Sequence, residues 1–255
     1  MVVDVWRVCN GARHICLIQT IAWRIVEAQE MTATRKLVDS LEEQIILEDL
    51  IEAGKPPVLA EYLNYHPLLY TPFRYPPLQY GSRFGKKIEP SLWYGSLELN
   101  TAFSEKAFYL FNFLNASAAK FGIVSPQFTA FSVHVQSSHG IQLTGDSFAH
   151  YTALISKPNS YKASQVLGAA MREAGVEAFT YYSARVKNKG INIGLFTPKA
   201  FQYKKPDEYS FQSWQCIATR DLIEFRRVSA MVSETKRFTL GEFQVGNMLV
   251  FPAGG

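Results

Sequence analysis

The chain is short of several things that would have settled its chemistry at once. Among 255 residues there are three cysteines, Cys9, Cys16 and Cys216. An odd count in a chain this long is no disulfide framework, and it suits a reducing cytoplasm. No Cys-x-x-Cys occurs and the five histidines are scattered, so no metal site is expected. The phosphate loop G-x-x-x-x-G-K-[ST], the dinucleotide turn G-x-G-x-x-G, the nucleophile elbow G-x-S-x-G and the zinc motif H-E-x-x-H are all missing. Long hydrophobic runs are missing too. "ICLIQTIAWRIV" is broken by Gln19 and Arg24, is too short to span a bilayer, and lacks a signal-peptide cleavage pattern. It reads as a buried strand or helix, and no membrane contact is expected.

What is present is aromatic and mildly basic. Phe and Tyr number 18 and 13, enough for a many-stranded core or a pocket that stacks a planar ligand. The net charge is +4, with no dense basic stripe, so direct nucleic-acid binding is not expected. A modest positive bias also suits a small anionic substrate.

Periodicity predicts an acidic amphipathic helix over residues 32–54, using Leu37, Leu41, Ile45 and 47–51 and ending at Gly54. The stretch 56–80 is rich in Pro and Tyr, which predicts an ordered loop wrapping the core. "PSLWYGS" reads as a strand ending at Ser96, with Ser96 or Asn100 capping the next helix. That helix carries Phe103, Ala107, Leu110, Phe111 and Leu114 at helical spacing, with Glu105 off the stripe. "FTAFSVHVQ" and "GIQLTG" read as strands, and residues 160–175 as a helix capped by Ser160 and stopped by Gly175. "TYYSARVKNKGINIGLF" reads as strand, basic loop, strand. The tail, including "NMLVF", reads as short strands. The result is an α+β chain with an N-terminal helical extension: residues 1–80 hold the first strand and the acidic helix packed on the core, and 81–255 form the core.

Polar residues stand at the ends of these elements. Arg24 interrupts an apolar run; Arg83 sits between Gly81 and Gly85, where backbone can approach a ligand. Tyr94 ends a strand, Glu105 lies early in a helix, and Ser183 and Arg185 end another strand. Each has a plainer reading: an edge arginine, a turn, a core aromatic, an exposed glutamate, a hairpin loop. Lys187 and Lys189 read as solvated loop charges.

The order of these pieces resembles the RES-domain family, the toxins of RES–Xre toxin–antitoxin pairs. The matching pieces are Trp23-Arg24-Ile25, Gly81-Ser82-Arg83-Phe84, Leu92-Trp93-Tyr94, Thr101-Ala102-Phe103-Ser104-Glu105, Ser164 to Val176, Tyr182-Ser183-Ala184-Arg185, and GINIGLF from Gly190 to Phe196. They span about residues 20 to 230. The sequence departs from the common form in its GSRFG turn and in the long segment 28–80, where Arg74 competes with Arg83 for the second arginine role. The resemblance implies an ADP-ribosyltransferase-like core of two small β-sheets with flanking helices around a dinucleotide cleft. It implies breakdown of NAD+ at the nicotinamide–ribose bond by phosphorolysis or hydrolysis, with inorganic phosphate as a co-substrate in the first case and no prosthetic group. Glu105, Arg24 and Ser183 are the implied catalytic residues; Arg83, Tyr94, Arg185 and Asn192 the implied NAD-binding residues. The implied partner is an Xre-type helix-turn-helix antitoxin, and the sequence allows a homodimer. Transfer of ADP-ribose to a protein, and a non-catalytic nucleotide-binding module, are the competing readings.

Overall fold

A computed structural model describes residues 3–28, 39–77, 79–118, 122–246 and 248–250. Among the described residues, eight strands form one continuous sheet: β1 (Ile15–Glu27), β2 (Trp93–Ser96), β3 (Gln127–Gln142), β4 (Ala178–Tyr182), β5 (Ile191–Leu195), β6 (Gln212–Ala218), β7 (Leu222–Arg227) and β8 (Thr235–Thr239). The α-helices are α1 (Val5–Val8), α2 (Leu41–Ala53), α3 (Pro67–Arg74), α4 (Leu99–Ala116), α5 (Thr152–Ile155) and α6 (Lys162–Glu173). The mixed helix-and-sheet class matches the α+β expectation. The two small sheets expected are instead two arms of a single one.

The spine is the antiparallel pair β1–β3, in register from Ile15↔Ile141 to Glu27↔Phe128 with one irregularity between Cys16 and Ile18. The other edge of β3 is shared. Its first residues pair with β6, and its last three run parallel to β4. One arm therefore continues β6–β7–β8. The other runs β4–β5–β2 and returns to β1 through the single pair Trp23↔Ser96, closing a five-stranded ring. "FTAFSVHVQ" and "GIQLTG" are thus one long strand, not two.

Three apolar clusters fill the space between sheet and helices. Phe103 of α4 packs against Trp214 and Phe225 of the β6–β8 arm, and Phe108 and Phe111 against Phe243. Leu167 and Met171 of α6 cover Phe179 of β4 together with Phe84. Inside the ring, Trp93, Phe131, Val133 and Ile193 meet Leu69 of α3. Each such side chain contributes about 1.5–3 kcal/mol when fully buried.

Some local expectations change. The Pro-rich stretch does hold a helix, α3. Pro67 stands at its first turn, where a missing N–H costs nothing, and the His66 ring accepts the Leu68 N–H. α4 is capped by neither Ser96 nor Asn100: Glu98 precedes it without a side-chain cap bond, Asn100 lies within its first turn, and the Ser96 hydroxyl is turned to Asn192. Tyr161 is the residue before α6, and the Ser160 hydroxyl accepts the Lys162 N–H at 3.4 Å. Residues 32–38 of the acidic helix, Leu37 included, lie outside the described residues, as do Asn247 and Phe251 of the expected last strand; Met248 makes only a one-residue bridge to Val245. α2 buries none of its residues, and Leu41, Ile45, Ile46 and Leu50 are all exposed. Among the described residues, no helix is long and apolar enough to cross a membrane.

Candidate active site

Where β2 leaves β1 after one pair, the ring opens into a cleft of about 290 Å³. Trp23, Arg24 and Ile25 of β1 form one side, and Tyr94, Gly95 and Ser96 of β2 the floor. Ala102, Glu105, Lys106 and Tyr109 of α4 form the roof. Arg83, Leu92, Tyr161, Tyr181 and Asn192 complete it. Five of the seven residues singled out by sequence line this one cavity: Arg24, Arg83, Tyr94, Glu105 and Asn192.

Among the described residues, Glu105 is the cavity's only carboxylate. Its Oε1 accepts two hydrogen bonds of 2.6 Å, from Ser183 Oγ and from Asn192 Nδ2. Asn192 is itself fixed, because its Oδ1 accepts the Ser96 hydroxyl at 2.7 Å across the β2–β5 register. Among the described residues, Oε2 has no protein partner. One oxygen is thus doubly held and the other is left to the cleft.

Ser183 and Arg185 are placed behind this wall, not on it. The Ser183 hydroxyl is buried; it donates to Glu105 and accepts the Arg185 N–H at 3.0 Å, so both its roles are used within the protein. The Arg185 guanidinium lies 3.4 Å from the centroid of the Phe108 ring and donates to the Pro158 carbonyl. Burial lowers its pKa and Glu105 opposes that shift. These two residues hold the carboxylate's surroundings in place.

Arg83 is anchored from behind in the same manner. Its Nη1 donates to the carbonyls of Ile155 and Lys157, at 3.3 and 3.0 Å, and its guanidinium stacks over Tyr161 at 4.8 Å. The turn that carries it is built for close approach. Gly81 has φ +68°, and a Cβ there would meet the Gly85 carbonyl at 2.2 Å. Gln165 of α6 donates one amide group to the carbonyls of Tyr80, Ser82 and Gly85. Gly168, one helical turn on, lets α6 touch the Phe84 backbone, which any Cβ would strike at 2.0 Å. Arg74, the rival of Arg83, faces elsewhere: it pairs with Glu52 and donates to the Pro56 carbonyl.

Arg24 is the less committed of the two arginines in the cleft. It lies over the Trp93 ring at 5.2 Å and makes one long bond, 3.4 Å, to the Tyr94 carbonyl. It forms no ion pair among the described residues, and burial pushes its pKa down to about 10, leaving it charged at neutral pH. The Tyr94 hydroxyl accepts the Phe84 N–H and shares a bond with Ser82, both at 3.0 Å, while its ring lines the cleft. Burial raises the pKa of Tyr94, Tyr109 and Tyr181, so their phenols stay neutral.

Sequence reasoning missed Lys106, Tyr109, Tyr161 and Tyr181. Lys106 stacks on Phe128, and burial lowers its pKa. Its neighbour Glu105 was the available signal, but helical spacing places adjacent residues on different faces. Strand alternation put Tyr181 on the face of Ser183, two residues away, and would have found it. Lys187 and Lys189 are exposed, as the loop reading required.

With these groups the cleft presents Arg24, Arg83 and Lys106 against one carboxylate, between neutral aromatic walls. That arrangement fits an anionic ligand with a planar ring, bound with one carboxylate at hand. A family model described as the RES domain matches residues 59–215, a span that takes in Arg83, Tyr94, Glu105, Ser183, Arg185 and Asn192 and begins after Arg24. No curated protein matches the chain.

Proposed function

Since the chain belongs to the RES-domain family, we propose that this cleft binds NAD+ and breaks its nicotinamide–ribose bond, in the manner of a toxin of a toxin–antitoxin pair. The observation that carries the reading is Glu105, with one oxygen held by Ser183 and Asn192 and the other free toward a cavity of three cations.

The chemistry follows from charge. As the C–N bond breaks, its electron pair leaves with the nicotinamide ring nitrogen and cancels that ring's positive charge. The ribose carbon becomes oxocarbenium-like. A fixed carboxylate beside it stabilises the developing cation without having to reorganise, as carboxylates do in glycoside cleavage. An oxygen of water or phosphate then adds to that carbon, and the free Glu105 oxygen can orient it or take its proton. Water gives ADP-ribose and phosphate gives its 1″-phosphate. Tyr94, Tyr109 and Tyr181 supply surfaces on which the nicotinamide ring can stack. Arg24 and Arg83 suit the pyrophosphate, whose oxygens match a guanidinium fork. The ring of strands opening at one side, with the carboxylate on a neighbouring helix, supports an ADP-ribosyltransferase-like cleft.

The test is NAD+ loss by the purified protein, followed by fluorescence with and without inorganic phosphate. Loss is expected, with free nicotinamide as one product. NAD+ unchanged at high protein concentration under both conditions would overturn the reading.

A further inference from the structure

A second cavity of about 260 Å³ lies beside the first, lined by Arg24 and Val26 of β1 and by Pro67, Leu68, Thr71, Pro72 and Tyr75 from α3 and the residue after it. Arg24 lines both. Neither space alone reaches the roughly 300–1,000 Å³ common for small-ligand pockets; joined, they do. We propose that the two form one bipartite site, in which this second compartment takes the adenosine half of the dinucleotide and Arg24 grips the pyrophosphate between the halves. The proposal rests on the reading of the first cleft as a nicotinamide dinucleotide site.

Three observations carry it. Arg24 has unused N–H groups at the junction: its one long bond to the Tyr94 carbonyl engages a single nitrogen, and no carboxylate pairs with it among the described residues. A partly buried guanidinium with free N–H groups between two cavities suits a doubly charged diphosphate linking two nucleosides. The second compartment is walled by Val, Leu and two Pro, surfaces that accept a flat base. Its polar groups are the Thr71 and Tyr75 hydroxyls, and neither forms a hydrogen bond within the described protein, so both can serve a base edge or ribose. α3 itself is held firmly, with Leu69 fully buried and Arg74 tied to Glu52 and the Pro56 carbonyl, so the wall is preformed. The Pro-rich segment before the GSRFG turn thereby gains a role in recognition, as a specificity wall for the half of the substrate that does not react.

Calorimetry with two half-ligands separates the compartments. AMP probes the second and nicotinamide mononucleotide the first. Thr71→Phe fills the second cavity; it is expected to weaken AMP at least tenfold and to change nicotinamide mononucleotide affinity less than twofold. Tyr75→Ala, at a partly exposed position that cannot unfold the core, is expected to weaken AMP about threefold to tenfold. Competition by AMP against NAD+ is expected to be lost in the same order. AMP affinity unchanged in both variants, or both ligands weakened equally, would overturn the bipartite site. So would wild-type protein that binds the mononucleotide but not AMP. Wild-type protein that binds AMP at Thr71 and Tyr75 yet never consumes NAD+ would instead overturn the function and leave the compartment standing.

Discussion

α2 and α4 are both helices rich in large apolar residues, and they are held together by opposite means. α2 has many local signals. Ser40 caps the Glu43 N–H, Glu42 and Glu43 occupy the first turn, Gln44 bonds Glu48 one turn on, and Lys55 pairs with Glu52. Such features are worth a few tenths to about 1 kcal/mol each. Yet no residue of α2 is buried. α4 has no side-chain cap bond, no acid in its first turn and no base in its last, but it buries nine residues. There packing outweighs local preference by several-fold. Glu105 is on α4, so its carboxylate is carried by an element fixed from outside, not by one stable only in itself.

The largest effect expected is on the reaction. Glu105→Gln keeps the volume and removes the charge; NAD+ consumption should fall about 10²–10⁴-fold, with the melting temperature nearly unchanged. A large loss of stability with activity retained would mean that the carboxylate is structural. Next, Phe103→Ala in α4 should cost about 3–5 kcal/mol in denaturant unfolding, because its ring is fully buried between Trp214 and Phe225. Ser183→Ala leaves Glu105 with one donor instead of two. About a tenfold fall in kcat is expected, roughly 1.4 kcal/mol, with KM little changed. A raised KM with kcat intact would instead mean that the hydroxyl meets substrate. The smallest effect is predicted for Ile45→Ala in α2, within about 0.5 kcal/mol; a loss comparable to that of Phe103→Ala would break the contrast between the helices.

Helical and strand periodicity made α4, α6 and most strands readable, since each buries one face. What could not be read was sharing. The merger of two expected strands into β3, and of two sheets into one, depends on partners a hundred residues away, and period alone says nothing of partners. Proline was given too much weight at 56–80: Pro67 falls at a helix start, where it is harmless, and α3 also accommodates Pro72 inside it. In the site, residues with distinctive neighbours were visible: Arg83 between glycines, Glu105 beside an apolar stripe. Which surface each side chain faces was not. Ser183 and Arg185 look like ligand contacts in sequence and turn out to brace Glu105 and its wall. Lys106 and Tyr161 gave no signal apart from their neighbours.

The pairing of β1 with β3 has a consequence for how the chain is made. Glu27 and Phe128 are the nearest partners in that ladder, about a hundred residues apart. At roughly 5–20 residues per second on the ribosome, β1 waits roughly 5–20 s for its mate. During that interval Ile18 and Ala22, interior in the finished protein, lack the β3 side chains Phe131, Val133 and Val135 of their cluster. The ring cannot close, and the cleft between Arg24 and Glu105 cannot form, until β3 has emerged. Fragments ending before residue 127 should therefore be aggregation-prone and should consume no NAD+, since neither β3 nor the Ser183 and Asn192 donors to Glu105 are in place.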